Sequence, residues 1–257
     1  YNIAGAANVG LMRFDASIAC FKQAIKINPN NAEAYNNMGN ALRAMGDLDA
    51  AIDSFKQALK IKPNNAQVYN NMGVALNDKG DPESAIDCYK KALTIKPDYS
   101  EAYNNMGIAL NDKGDPESAI DCYKKALTIK PDYAVAYRHF SDLNSYKEHD
   151  EHFIKMQSLC MDPSTTDEDR CNLSFSLSKA SEDLNEMSQS FNYLKMGNQL
   201  RKKILSYNVK QDIALFSQLK KSYPSIAKLA LQSTGETGEL KPIFILGMPR
   251  SGTTLVE

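Results

Sequence analysis

Four prolines, Pro29, Pro63, Pro97 and Pro131, recur at intervals of 34 residues, and the sequence between them recurs with them. Val68–Ser100 returns almost letter for letter at Ala102–Ala134. An aromatic opens each period (Tyr35, Tyr69, Tyr103, Tyr137), followed by Met38-Gly39, Met72-Gly73 and Met106-Gly107, then Gly46, Gly80 and Gly114. Ala51, Ala85 and Ala119 come next, then Phe55, Tyr89 and Tyr123, then Ala58, Ala92 and Ala126. One such unit is too short to bury its own apolar face. A fixed period of this length therefore dictates a stack of helix-turn-helix pairs, each covered by its neighbour.

The residues also say where helices begin and end. Asn30, Asn64 and Asp98 are placed to cap the first helices, with Glu33, Gln67 and Glu101 three residues on in a capping-box pattern. Gly80 and Gly114 suit the left-handed conformation that ends a helix. Asp81-Pro82 and Asp115-Pro116 then restart the chain, with Asp as cap and Pro in the first turn. The recurring Gly and Ala positions let paired helices approach closely. Tyr1–Pro29 reads as a degenerate repeat whose beginning is lost: Tyr1, Gly5, Phe21, Ala24 and Pro29 keep register, but Asn8 and Met12 replace the expected Leu and Gly. A fifth repeat begins at Tyr137 and Phe140 and then departs. Thr166 with Asp169 marks a fresh helix start. Asn208–Tyr223 predicts an amphipathic helix through Val209, Ile213, Phe216 and Leu219, and Pro224–Gln232 a separate short one.

This pattern resembles the tetratricopeptide repeat, which implies an all-α, right-handed helix-turn-helix solenoid. The expected regions are repeats over 1–137 (four clear, a fifth begun), a degenerate helical bridge over 138–232, a linker over 233–242, and the truncated start of an α/β domain over 243–257. The resemblance places the first helix of each repeat on a concave face, where a protein or peptide partner would lie. Asn36, Asn70 and Asn104, and beside them Asn37, Asn71 and Asn105, recur there, with Asn40, Arg43, Asn77 and Asn111 further along. Asparagine carries donor and acceptor together and can hold a peptide main chain without reading its side chains. The second asparagine of each pair resembles the ladder in the repeats of the O-linked N-acetylglucosamine transferase family. A polar face that simply stays wet is the alternative. The two-carboxylate clamp of chaperone-binding repeats is not matched, so an acidic C-terminal peptide is not the expected ligand.

Composition narrows the remaining classes. With 30 basic and 31 acidic side chains, the formal charge of −1 argues against a general nucleic-acid or acidic-membrane binder. No run approaches the length of a membrane span. Five cysteines read as free thiols rather than a disulfide framework, which favours the cytoplasm without fixing it. Cys20, Cys88 and Cys122 owe their places to duplication. His139, His149 and His152 read as solvated side chains at a degenerate repeat, with no metal expected. Lys195, Arg201, Lys202, Lys203, Lys210, Lys220, Lys221 and Lys228 make the later part basic. They form either a solvated face or a surface toward an anionic cofactor or acidic substrate.

At Pro242 the composition changes. Ile243–Leu246 is a β-rich apolar run followed by Gly247-Met-Pro-Arg-Ser-Gly-Thr-Thr254. Strand, Gly-bounded loop and helix start form an arrangement that cradles phosphate. Thr253 stands where a P-loop lysine would be, against an ATPase or kinase. PRSGTT instead resembles the phosphosulfate loop of tyrosylprotein-type sulfotransferases and of bacterial proteins with tetratricopeptide repeats ahead of such a domain. An ordinary strand-to-helix turn is the alternative. The resemblance implies 3′-phosphoadenosine-5′-phosphosulfate as cofactor. Arg250 would pair with its phosphosulfate, and Ser251, Gly252, Thr253 and Thr254 would donate hydrogen bonds to it. The catalytic base and the rest of the sheet would lie beyond Glu257, so this chain alone is expected to be inactive. The leading expectation is the acceptor- or partner-binding part of a sulfotransferase. The alternative is a non-enzymatic scaffold, and the near-identical repeats leave end-to-end self-association open.

Overall fold

The computed structural model describes residues 1–233, with side chains through Tyr223 except Gln211. Thirteen helices and no strand occur among the described residues. The pairs are α1 (Asn2–Gly10) with α2 (Phe14–Ile27), α3 (Ala32–Ala44) with α4 (Leu48–Ile61), α5 (Ala66–Asp78) with α6 (Pro82–Ile95), and α7 (Ser100–Asp112) with α8 (Pro116–Ile129). Beyond them lie α9 (Ala134–Leu143), α10 (Glu151–Met161), α11 (Asp167–Asp183), α12 (Met187–Ile204) and α13 (Val209–Ser233). No described helix is long and apolar enough to cross a membrane.

Each pair is locked by one contact. Gly5, Gly39, Gly73 and Gly107 lie against the rings of Phe21, Phe55, Tyr89 and Tyr123, so closely that an added Cβ would stand 2.5–2.6 Å from a ring carbon. Ala51, Ala58, Ala85, Ala92, Ala119 and Ala126 are fully buried around those rings. Small residues on one helix and a ring on the other thus set the distance between them. Gly46, Gly80 and Gly114 have φ of +83°, +85° and +89°, and Met12, one period before Gly46, takes the same left-handed turn at φ +55°. The expected glycine there is replaced without loss of the turn.

The caps of the second helices follow the expectation. Asp81 and Asp115 accept from the Ser84 and Ser118 backbone N–H groups, with proline in the first turn, and Asp47 does the same for Ala50. Hydrogen bonding from the Ser84 and Ser118 side chains, and then from their backbone N–H groups, holds the Asp81 and Asp115 carboxyls below their ordinary range. The caps of the first helices sit one residue later than expected. Asn31 and Asn65, not Asn30 and Asn64, accept from Ala34 and Val68. Tyr99, not Asp98, occupies the cap position of α7 and makes no side-chain cap bond. Where two polar residues adjoin, the cap is whichever one leaves the following N–H groups within reach, and Ala32 and Ala66 start the helices.

The compact unit does not stop where a separate bridge was expected. It runs from Tyr1 to Leu205, and a second unit starts at Ser206. Between α9 and α10 the chain is held by Tyr146, whose hydroxyl bonds Ser141 at 2.8 Å and whose backbone N–H donates to Asp183 at 3.0 Å. Phe140, Phe153, Met156, Leu173 and Leu177 form the core beneath it. Thr166 caps α11 through the Asp169 N–H, as its sequence predicts. In the second unit α13 continues through Pro224, so the two helices expected over 208–232 are one element. Proline removes one helical hydrogen bond and need not end the helix.

Candidate functional site

Successive first helices touch one another: α1 meets α3, α3 meets α5, and α5 meets α7. Successive second helices make at most marginal contact. The first helices are therefore crowded toward the inner side of the arc, and the asparagine rows lie at their junctions.

The structure brings those rows together as a ladder. Asn71 Nδ2 donates to Asn36 Oδ1, and Asn105 Nδ2 to Asn70 Oδ1, both at 3.0 Å. Within a rung, Asn36 donates to Asn37 at 3.3 Å and Asn104 to Asn105 at 3.4 Å. The first asparagine of each pair is deeply buried: Asn36 and Asn70 are 7% exposed, Asn104 only 3%. Those three side chains tie repeats together. Asn37, Asn71 and Asn105 remain half-buried on the inner face, and Asn37 Nδ2 has no acceptor among the described residues.

A second row lies toward the helix C-termini. Arg43 pairs with Asp78 at 3.0 Å, and Asn77 donates to Asp112 at 2.8 Å, each reaching 35 residues forward. Asn40 is half-buried and Asn111 exposed. These groups are half in solvent, so their pairing contributes little stability one by one. Their constant register aligns one repeat on the next.

The ladder has a further rung that sequence reasoning missed. His139 stands 34 residues after Asn105, and its Nδ1 lies 3.0 Å from Asn104 Oδ1. The ring is tilted against Tyr123, with centroids 5.7 Å apart. Because the amide oxygen accepts, Nδ1 carries the proton and Nε2 the lone pair. Burial lowers the His139 pKa, opposed by the Asp142 charge and assisted by Arg138. The expectation of solvated histidines is thus corrected for His139 and His152, while His149 is exposed as expected. His152 is half-buried, 4.9 Å from the Phe140 ring centroid, and His149 stacks on Phe153 while facing Glu186 at 2.9 Å. The +34 register was the available signal; an imidazole offers at one atom the N–H that an asparagine offers at Nδ2.

Beside His139 the inner face opens into a cavity of about 110 Å³ lined by Ile108, Asn111, Tyr123, His139, Asp142 and Leu143. A larger cleft of about 590 Å³ lies outside, between α4, α5 and α6. Asp49, Asp53 and Asp87 there are matched by Lys56, Lys79 and Lys91, so the cleft has no net field to select a charged ligand. All five cysteines carry free thiols. Burial pushes Cys88 and Cys122 up to about 11, which leaves them protonated and inert at neutral pH. Among the described residues no group of three or more His, Cys, Asp or Glu is placed to hold a metal ion. The expected strand and phosphosulfate loop, with Arg250, Ser251, Gly252, Thr253 and Thr254, lie outside the described residues.

Comparison with known proteins agrees with this geometry. Residues 13–46 and 39–80 match a model described as TPR repeat, and residues 64–132 one described as tetratricopeptide repeat. These residues form tetratricopeptide repeats. An uncharacterized protein of Aquifex aeolicus (strain VF5) is 28% identical over 116 residues, which cover 45% of this chain and 15% of that relative. The chain therefore spans only a small part of its curated relative. The MamA RS-1 ArsTM double mutant superposes with a TM-score of 0.51 at 19% identity, covering 71% of this chain and 91% of that one. MamA 41-end from Desulfovibrio magneticus RS-1 gives 0.50 at 21%, covering 60% and 85%. At these identities the likeness is one of fold. Among the described residues the fold is an all-helical repeat solenoid, and none of these matches indicates a sulfotransferase or a phosphosulfate-binding loop.

Proposed function

We propose that the repeats form a non-enzymatic protein-interaction module that holds an extended peptide segment along its inner face. The observation that carries this reading is the row Asn37, Asn71 and Asn105: amides half-open to solvent, held at fixed register by buried rungs behind them. Preorganised amides lose little freedom on binding and can exchange hydrogen bonds with a peptide main chain. The test is selection of short randomised peptides on the whole chain, followed by affinity measurement with Asn37→Ala. Asn37 bridges no two repeats, so its loss spares the stack. About three- to tenfold weaker binding with unchanged far-UV circular dichroism is expected for one hydrogen bond. Peptides that bind as tightly to Asn37→Ala and to the Asn37→Ala/Asn71→Ala/Asn105→Ala protein would refute the ladder as the binding row.

A second reading, a sulfotransferase that uses these repeats to present its acceptor, is supported by the Gly247–Thr254 sequence pattern alone. Its test is binding of labelled 3′-phosphoadenosine-5′-phosphosulfate to the chain and to Arg250→Ala. Binding lost in the variant supports it; equal or no binding removes it.

A further inference from the structure

We infer that the inner face selects peptides with a lysine or arginine, whose side chain seats in the cavity between Ile108, Asn111, Tyr123, His139, Asp142 and Leu143. This rests on the peptide-binding reading above and adds the chemistry of the ligand.

The argument is an inventory of unused hydrogen-bonding capacity. Along the C-terminal row of the first helices, the charged groups left over are carboxylates, and the Asn111 amide on the cavity wall can both donate and accept. Asp112 gives one oxygen to the neutral Asn77 amide, and the other has no partner among the described residues. Asp142 bonds Arg138 through Oδ1 alone. Asn77 Oδ1 is cut off from solvent with no donor. His139 uses its Nδ1 proton on Asn104, which leaves the Nε2 lone pair. Unspent carboxylate oxygens and an imidazole lone pair fit a side chain that only donates, and lysine and arginine are the two that do so with a charge.

The walls fit as well as the groups. Ile108 and Leu143 give an apolar wall for an aliphatic stem. The charge balance points the same way. Arg43 is matched by Asp78 and Arg138 by Asp142, while Asp112 faces only an amide. The fields of Asp112 and Asp142 both reach the Tyr123 hydroxyl, so both carboxylates bear on this cavity. An acidic side chain here would meet two carboxylates and no free cation among the described groups.

The experiment pans short randomised peptides against the whole chain and scores the residue types enriched among binders that Asn37→Ala weakens. Enrichment of Lys or Arg over Asp and Glu at one register is expected. Asp112→Asn should weaken those peptides about five- to tenfold and the same peptides with the basic residue replaced by Ala hardly at all. Asp112 is exposed and its only side-chain hydrogen bond among the described residues is to Asn77, so the variant folds; Asp142→Asn tests the second carboxylate, with Arg138 still able to donate to the amide oxygen. Rung-sensitive binders without a basic preference, or binders indifferent to both Asp variants, overturn this inference and leave peptide binding standing. Failure to obtain any rung-sensitive binder overturns both.

Discussion

Gly73→Ala tests the contact on which the stack is built. A Cβ on Gly73 would stand 2.6 Å from Tyr89 Cε1 and 2.9 Å from Cζ, where ordinary contact begins at 3.4 Å, so something must retreat by about 0.8 Å. The ring has nowhere to swing: Tyr89 is 1% exposed and is walled by Ala85, Ile86 and Ala109, with Val74, Met106 and Leu110 behind. The helix pair α5–α6 must open instead. Overpacking of this kind costs about 1–3 kcal/mol. Alanine returns about 1 kcal/mol through its better helix propensity, so a net loss of up to about 2 kcal/mol is expected. Two glycines calibrate the estimate. Gly10 has no heavy atom within 4 Å of its would-be Cβ, so Gly10→Ala should gain about 0.5–1 kcal/mol. Gly197 faces the half-buried Phe175 at 3.1–3.2 Å, and Gly197→Ala should fall near zero as the ring gives by a few tenths of an ångström. The assay is urea unfolding followed by far-UV circular dichroism, repeated in a Tyr89→Leu background to isolate the pair. The reasoning is refuted if Gly73→Ala gains as much stability as Gly10→Ala, or if Tyr89→Leu brings no relief.

Two further outcomes follow from the structure. Asn65→Ala should cost about 1 kcal/mol by uncapping α5, whereas Asn64→Ala should stay within about 0.5 kcal/mol; the opposite order in urea unfolding would overturn the cap assignment. His139 has a lowered pKa in the fold, so the unfolded chain takes its proton first as pH falls. Its contribution to stability is whole above about pH 6.5, declines as pH drops toward the folded value, and is flat below it. His139→Asn keeps a rung and should remove that slope from the pH dependence of melting between about pH 7 and 5; an unchanged slope would assign it to other groups.

What could be read in the sequence was whatever the period forces. A residue that recurs every 34 positions meets the same neighbours each time, so the close approach of paired helices at Gly and Ala, the left-handed turns and the Asp-Pro helix starts were legible before any coordinates, though not the rings the glycines meet. What was not legible depends on direction or depth within a repeat. Asn30 and Asn31 are the same letter, and only the path of the chain into α3 decides which one caps it. Asn36 and Asn37 are likewise the same letter. One is buried and spent on the next repeat, the other stays open on the inner face, and a candidate site that pooled them joined a spine to a surface. His139 hid for the converse reason: a different letter performs the same hydrogen bond in the same register. The buried row fixes the spacing of the first helices, and that spacing sets where the open amides and the Asp112–His139–Asp142 acceptors stand. A substitution in the spine, or at Asn71 or Asn105 whose amides donate to it, should therefore alter peptide affinity through geometry and stability together, while Asn37→Ala should alter affinity alone. That separation distinguishes a binding ladder from a face that is merely wet.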